Sequence, residues 1–446
     1  MTTLVLAAVV LLVAAGTVSA DTEIKQADIP FTASAAGERY YLDGDLTCAN
    51  TASAITIGAN NVIIDGQGYK ITGAVAAGIC SCSEGTPDST HSGVVNVAGY
   101  NNVIVKDLEI EYFCTGVSIG SGAGEALNMT VTGCKIHDGG EDSKATHGVH
   151  LGRASYCNIS KNEIYNIAGG PMSDCGGGGN GVFMYGVGPT LSNHNTVDCN
   201  YIHNNAKSGI FSKKVSRYNT FSNNKVTDNA QYGIAPMCKQ SRWCTIEHNY
   251  VKDNSGGGYA SQASNNTIRF NTFIDNGNSG LNLKSSDDPD DTYGGYNIVT
   301  NNTICGHSYR DINSQAGQGE TDTLESNTCN TTDYGGCDWS CSNLVSVYYD
   351  YDQDVPLGGA GNYSAETCSC GTLLGVGACC NPGLFNETGA GDHCDYEPYG
   401  YDLCILTPGT DANDCAPVPE VATFTLFGLG LVGLVGYIRV SGRRKD

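Results

Sequence analysis

The sequence predicts an all-β protein, a right-handed parallel β-helix solenoid of roughly ten coils, and three observations carry that reading. The first is a phrase repeated between Asn195 and Asn302. It runs Asn195-Thr-Val-Asp-Cys-Asn200-Tyr-Ile-His-Asn204, then Asn219-Thr-Phe-Ser-Asn-Asn224-Lys-Val-Thr-Asp-Asn229, then Cys244-Thr-Ile-Glu-His-Asn249-Tyr-Val-Lys-Asp-Asn254. Asn266-Thr-Ile-Arg-Phe-Asn271-Thr-Phe-Ile-Asp-Asn276 and a partial copy at Asn297-Ile-Val-Thr-Asn-Asn302-Thr-Ile follow. The second is the glycine that opens an alternating run after each full copy: Gly209-Ile-Phe-Ser, Gly233-Ile-Ala-Pro, Gly258-Tyr-Ala-Ser and Gly280-Leu-Asn-Leu. A period in the low-to-mid twenties is the mark of a solenoid. The third is local pattern: apolar residues alternate over runs too short for helices, and asparagine or glycine punctuates every few residues. Three short strands per unit describe one β-helix coil, whereas a leucine-rich repeat would show one strand per unit and a propeller blade four strands in ~40 residues.

The column Asn162, Asn200, Asn224, Asn249, Asn271, Asn302 and Asn327 belongs to this architecture. Asparagine tolerates the left-handed bend conformation, and its amides can stack from coil to coil. Composition agrees: 59 glycines among 446 residues fit a turn-rich β protein. The formal net charge of -23, with only 15% charged residues, makes the surface acidic but mostly neutral. Nucleic acid is excluded as a partner, because there is no basic patch and the background field repels phosphate. Twenty-one cysteines in an exported chain imply disulfides with at least one thiol left over.

Residues 1–20 form an apolar run ending in Val18-Ser19-Ala20, a small-residue cleavage signal of an export peptide, although no basic residue precedes it. Residues 21–60 are expected to be an N-terminal cap with the first strands, around Tyr41 to Leu46 and Ala54 to Ile57. Residues 61–328 are expected to be the β-helix itself, about 50 Å long at ~4.8 Å per coil.

Asn61-Val-Ile-Ile-Asp-Gly66-Gln-Gly68-Tyr-Lys-Ile-Thr-Gly73 opens this region, and Asn102-Val-Ile-Val-Lys-Asp-Leu-Glu-Ile gives the next clear coil. These resemble the opening coils of the pectate-lyase-like β-helix proteins, including NosD-like and other carbohydrate-associated members. The resemblance covers about residues 45–330 and implies a fold. It does not imply one activity, since that superfamily holds lyases, hydrolases, epimerases and adhesins. Insertions at 80–94, 139–146, 169–179, 285–295 and 307–321 interrupt the repeat, and loops leaving one face of a solenoid commonly build its binding surface.

Beyond Asn327 the composition shifts. Residues 329–416 are expected to be a disulfide-stapled Cys-rich module; Cys337-x3-Cys341 and Cys368-x-Cys370 do not match paired zinc knuckles. Asp350-Tyr-Asp352-Gln-Asp354 has the alternation of a calcium loop, but Val355 replaces the turn glycine of an EF-hand. The tail 417–446 contains an apolar stretch, 421–438, just long enough to span a bilayer, followed by Arg439, Arg443, Arg444 and Lys445. With Val418, Pro419 and Glu420 before it, the tail resembles the PEP-CTERM sorting signal and its PEF-CTERM archaeal relatives. That resemblance implies a processing peptidase of exosortase or archaeosortase type; an ordinary C-terminal membrane anchor is the alternative. Sequons at Asn128, Asn158, Asn265, Asn301, Asn330, Asn362 and Asn386 fit an extracellular, cell-surface glycoprotein.

Alignment on Gly116, Gly148, Gly181, Gly209, Gly233, Gly258 and Gly280 puts Val117, Val149, Val182, Ile210, Ile234, Tyr259 and Leu281 inside. The next position, Ser118, His150, Phe183, Phe211, Ala235, Ala260 and Asn282, then faces out, as do Tyr185, Lys213 and Lys284 two residues further on. His150, Phe183, Tyr185, Phe211, Lys213 and Lys284 form a candidate glycan-binding row, either an open groove or a face covered by a loop. His147 and His150 are read as pointing to opposite faces of their strand. In the superfamily's lyases acidic residues hold calcium and a basic residue abstracts a proton, so Lys213, Lys284 or His150 is the candidate base. Asp287, Asp288, Asp290 and Asp291 are then the candidate calcium ligands. The outward row shows no carboxylate pair of the kind glycoside hydrolysis needs. The expected role is therefore surface binding of extracellular polysaccharide or the glycosylated cell envelope; the alternative is a carbohydrate-active enzyme, a calcium-dependent lyase or a glycoside hydrolase.

Overall fold

The computed structural model describes residues 21–341 apart from residue 50 and the segments 75–79, 81–90, 121–123, 141–145, 170–177, 187–191, 215, 238–240, 284–294, 315–321 and 333–336. Beyond 341 it describes only an antiparallel strand pair, Gly377–Cys379 with Cys404–Leu406. The export peptide, the sorting tail with Val418, Pro419 and Glu420, most of the Cys-rich module, Lys284, Asp287, Asp288, Asp290, Asp291, Asn362 and Asn386 lie outside the described residues. No helix among the described residues is long and apolar enough to cross a membrane.

The chain coils through three parallel sheets. One turn runs, for example, through Ile104–Lys106, Glu109–Glu111 and Thr115–Ile119 before the next begins at Thr130–Thr132. We call the sheets these strands enter I, II and III. Among the described residues sheets I and II have twelve strands each and sheet III eleven, more than the roughly ten coils expected. The difference lies at both ends. Thr22–Ile24 and Arg39–Leu42 already pair in sheet I, so segment 21–60 contributes strands to the solenoid. Cys337–Trp339 adds a last strand to sheet II beyond residue 328. Disulfides Cys329–Cys337 and Cys305–Cys341 fasten that end, and Cys80–Cys114 ties the segment before His91 to the coil below.

Each corner is a tight bend at which one residue takes a positive φ and the next turns its side chain inward. At the I-to-II corner the left-handed residues are Cys199, Asn223, His248, Phe270 and Asn301. The asparagine column therefore does not occupy the left-handed position. It sits one residue later, buried, where it meets the hydrogen-bonding demand of the bend. Asn224 donates from its backbone N to Asn249 Oδ1 at 3.0 Å and from Nδ2 to the same oxygen at 2.9 Å. The same Nδ2 donates to Val197 O at 2.8 Å, in the preceding coil. Asn249 repeats the pattern onto Asn271, as does Asn271 onto Asn302. A second ladder at the II-to-III corner runs Asn205, Asn229, Asn254, Asn276 and ends on His307 Nδ1. A third, at the III-to-I corner, links Cys157 to Asn195 to Asn219, and Cys244 to Asn266 to Asn297 to Asp322.

Inside, columns of Val, Ile, Leu and Phe from all three sheets form one continuous apolar core. Cys134, Cys157 and Cys244 belong to it, and burial pushes each thiol up to about 12. Cys244 is a reduced core thiol.

Replacing Asn249 by alanine removes the acceptor of the buried Asn224 N and of one of the two Asn224 Nδ2 hydrogen bonds, and the side-chain donor to Phe221 O. We expect Asn249→Ala to cost about 3 kcal/mol in denaturant unfolding; a loss below about 1 kcal/mol contradicts the ladder's role.

Candidate functional site

The inner column of sheet III is as the glycine alignment predicts: Val117, Val149, Val182, Ile210, Ile234, Tyr259 and Leu281 are all fully buried in the core. The glycine before each has a steric cause. A Cβ on Gly148 would lie 2.3 Å from Ile164 Cγ2 and 2.6 Å from Gly181 O, so both Gly148 and Val149 face the core. Two successive inward positions break strand alternation. His147 and His150, expected on opposite faces, therefore stand together on the outer face, their rings 5.9 Å apart.

Phe183 on the next strand stacks against both, 4.2 Å from His147 and 5.6 Å from His150, and Phe211 and Tyr185 each lie 5.8 Å from Phe183. This face is covered: His150 is 0%, Phe183 2%, Tyr185 3% and Phe211 6% exposed. With Ala235 they form a small apolar cluster of their own, separate from the central core. Lys213 pairs beside Tyr185 and is half-buried, while Lys214 Nζ lies 4.8 Å over the Tyr185 ring. In chain order the insertions at 139–146 and 169–179 stand directly before the sheet III strands His147–Leu151 and Asn180–Gly186, and that at 285–295 follows Ser279–Leu283.

Polar atoms line the same face without hydrogen-bond partners among the described residues. They are Thr115 Oγ1, Ser118 Oγ, His147 Nε2 and both ring nitrogens of His150. Asn180 Nδ2 lies 3.4 Å from His147 Nδ1, which assigns the His147 proton to Nε2, a buried donor with nothing to accept it. Burial holds His150 down at about 3 and His147 well below its ordinary value, so both rings are neutral at neutral pH. The register of this face, from Ser92, Thr115, His147 and Asn180 to Phe183, Phe211, Ala260 and Asn282, contains no carboxylate among the described residues.

Two other outer features escape a glycine-based alignment. At the III-to-I corner the left-handed residues Tyr156, His194, Tyr218 and Trp243 stack face to face at 5.0, 5.0 and 5.1 Å. Their signal is the position directly before the third asparagine ladder. On sheet II, Glu109, Glu111 and His137 gather on one face. Of the sequons, Asn128, Asn301 and Asn330 are exposed, and Asn158 and Asn265 half-buried.

Residues 60–243 match the family model of the right-handed β-helix region, and residues 178–351 that of the periplasmic copper-binding protein NosD. The fold is a right-handed parallel β-helix. Among solved structures it is similar to the Azotobacter vinelandii mannuronan C-5 epimerase AlgE6 A-module, at 14% identity over 72% of this chain and 87% of that one, TM-score 0.51. It is also similar to the periplasmic alginate epimerase AlgG, at 13% identity over 69% and 83%, TM-score 0.48. Pectate lyase Pel9A shows 14% identity over 69% and 73%, TM-score 0.45. At these identities what is shared is the fold. No curated protein sequence matches the chain.

The buried imidazoles set a pH dependence. An unfolded chain titrates them near pH 6.5, whereas the folded chain keeps His150 uncharged down to about 3. In that window the unfolded state binds more protons, so the stability present above about pH 6.5 is lost progressively as pH falls. His150→Gln removes one of these rings. Comparing denaturant midpoints near neutrality and near pH 4.5, we expect the variant to lose less stability than the wild type; an equal loss contradicts the burial of His150.

Proposed function

We propose that this chain is an exported, cell-surface β-helix protein that binds extracellular polysaccharide or an envelope glycan on the outer face of sheet III. One observation carries the reading: the buried polar atoms of Thr115, Ser118, His147 and His150 that have no hydrogen-bond partner among the described residues, set beside the rings of Phe183, Tyr185 and Phe211. Buried donors and acceptors without partners are costly. A hydroxyl-rich ligand supplies both donors and acceptors, and aromatic rings offer their faces to the apolar sides of sugar rings. Neutral imidazoles suit this work, since each presents one donor and one acceptor to hydroxyl groups.

The absence of a carboxylate on the described part of this face favours binding over glycoside hydrolysis, which needs two. The second reading, a polysaccharide lyase, takes Lys213, half-buried beside Tyr185, as its proton-abstracting base. In that reading Asp287, Asp288, Asp290 and Asp291 hold calcium, and Lys284 is the alternative base. Anchoring through 421–438 and cutting near Pro419 and Glu420 by a sortase-type peptidase would display either kind of protein outside the cell.

Glycan-array binding of the full chain, with and without calcium, tests the proposal. We expect calcium-independent retention of at least one neutral or weakly acidic glycan, falling at least tenfold in Phe183→Ala/Phe211→Ala, with no unsaturated product released. Unsaturated product that disappears in Lys213→Ala would replace the binding reading with the lyase. Retention that survives the double variant but fails in Tyr218→Ala/Trp243→Ala would move the glycan to the III-to-I corner and overturn the assignment to sheet III.

A further inference from the structure

We infer that Glu109, Glu111 and His137, on the outer face of sheet II, form a site for a divalent transition cation of the zinc class. The inference is independent of the glycan face, which lies on another sheet.

The placement follows from register. Glu109 and Glu111 are two residues apart on one strand and so share its outer face. His137, on the adjacent parallel strand, pairs directly with Glu111 and lies diagonal to Glu109. One imidazole nitrogen and two carboxylates thus project from a rigid two-strand platform, their ligand atoms all within 4.8 Å of one another. A tetrahedral ion bound at about 2.0–2.2 Å needs its ligand atoms about 3.3 Å apart. His137 Nε2 and Glu109 Oε1 are already 3.1 Å apart, and rotation of the Glu111 carboxylate supplies the rest. The side chains are largely sheltered, at 6% exposure for His137, 17% for Glu109 and 11% for Glu111.

Both ring nitrogens of His137 face carboxylates, the surroundings that a metal-bound imidazole uses. Its Nδ1 lies 2.8 Å from Asp138 Oδ2 and its Nε2 3.1 Å from Glu109 Oε1. A neutral imidazole donates only once. With Nδ1–H donating to Asp138, Nε2 faces the Glu109 carboxylate, and the positive charge that reconciles them is the ring's own second proton in the metal-free chain or a bound cation that takes its place. A carboxylate on Nδ1 and a metal on Nε2 is the usual second-shell arrangement of metal-bound histidine.

The same molecule holds a comparison. Glu163 and His203 repeat the Glu–His diagonal further along sheet II, with His203 Nε2 3.4 Å from Glu163 Oε1. There the residue after the histidine is Asn204, whose Nδ2 lies 3.0 Å from His203 Nδ1. Nδ1 is then the acceptor, Nε2 carries the proton and donates to Glu163, and the pair needs no ion. Tyr165 stands where Glu111 would supply a third ligand, stacked between His137 and His203 at 4.8 and 4.9 Å. The Asp138/Asn204 difference thus separates a metal-ready histidine from a hydrogen-bonded one.

Two lysines adjoin the cluster. Lys70 Nζ is 3.0 Å from Glu111 Oε1 and its side chain is 34% exposed, so it can swing into solvent when an ion arrives. Lys135 turns toward Glu163 and Tyr165 instead. One imidazole among carboxylates selects zinc-class ions over calcium.

The test is equilibrium dialysis of the metal-stripped full chain against Zn²⁺ and Ca²⁺, with far-UV circular dichroism on each variant. We expect a zinc site lost in Glu111→Gln and in His137→Gln, weakened about 10- to 100-fold in Asp138→Asn, tightened in Lys70→Met and unchanged in His203→Gln. X-ray absorption of the zinc-loaded chain should show one imidazole in an oxygen-rich shell. Glu111 lies on the outer face, so its variant carries the result if His137→Gln does not fold. Zinc uptake equal in wild type and Glu111→Gln, no uptake at all, or calcium bound as tightly as zinc would each overturn the assignment.

Discussion

The interaction on which this fold depends is the side-chain amide that closes each corner. A solenoid coil must turn three times within some two dozen residues, and every turn leaves backbone donors pointing along the axis with no strand to receive them. A buried donor without a partner is costly. Asparagine solves this at one residue per corner: its carbonyl oxygen accepts from the preceding coil, and its Nδ2 donates both to a backbone carbonyl of that coil and to the amide oxygen of the next, as Asn249 does with Asn224, Phe221 and Asn271. Three such ladders fix the height and register of successive coils. Where a ladder ends, another acceptor takes over, His307 at one corner and Asp322 at another.

That repetition leaves the outer faces free to vary. Sheet III gains a further property from the glycine column. Because Gly148 and its counterparts turn inward along with the residue after them, strand alternation is shifted and the residues before and two after each glycine share the outer face. His147 and His150 become neighbours through this shift, and Phe183 completes the stack. The three faces carry different chemistry: aromatic and neutral-polar on III, charged and imidazole-rich on II, stacked rings at the III-to-I corner.

The fold was legible because its causes are periodic. The repeated phrase fixed the fold class, the inward column and the existence of an amide ladder. It missed that the ladder asparagines stand beside, not in, the left-handed position, since asparagine fits both roles and residues such as Cys199 and Phe270 are poor advertisements for a positive φ. It also missed the ladders at the other two corners, whose columns are interrupted by cysteine, histidine and aspartate. The site was legible in part. His150, Phe183, Tyr185 and Phe211 do converge, but as a covered strip, because exposure depends on what packs over a strand and not on the strand's own pattern. Thr115 and His147 were not legible, since an alternation rule cannot foresee the glycine shift. Glu109, Glu111 and His137 meet across different coils and lack any close sequence spacing.

The most direct test of the account is a crystal structure of the protein soaked with an oligosaccharide that it retains. The account predicts ordered sugar on the outer face of sheet III, with hydroxyls within hydrogen-bonding distance of His147 Nε2 and a His150 ring nitrogen, and a sugar ring against Phe183 or Phe211. Sugar ordered on sheet II or at the Tyr156 to Trp243 corner, with only water beside His147 and His150, would contradict it.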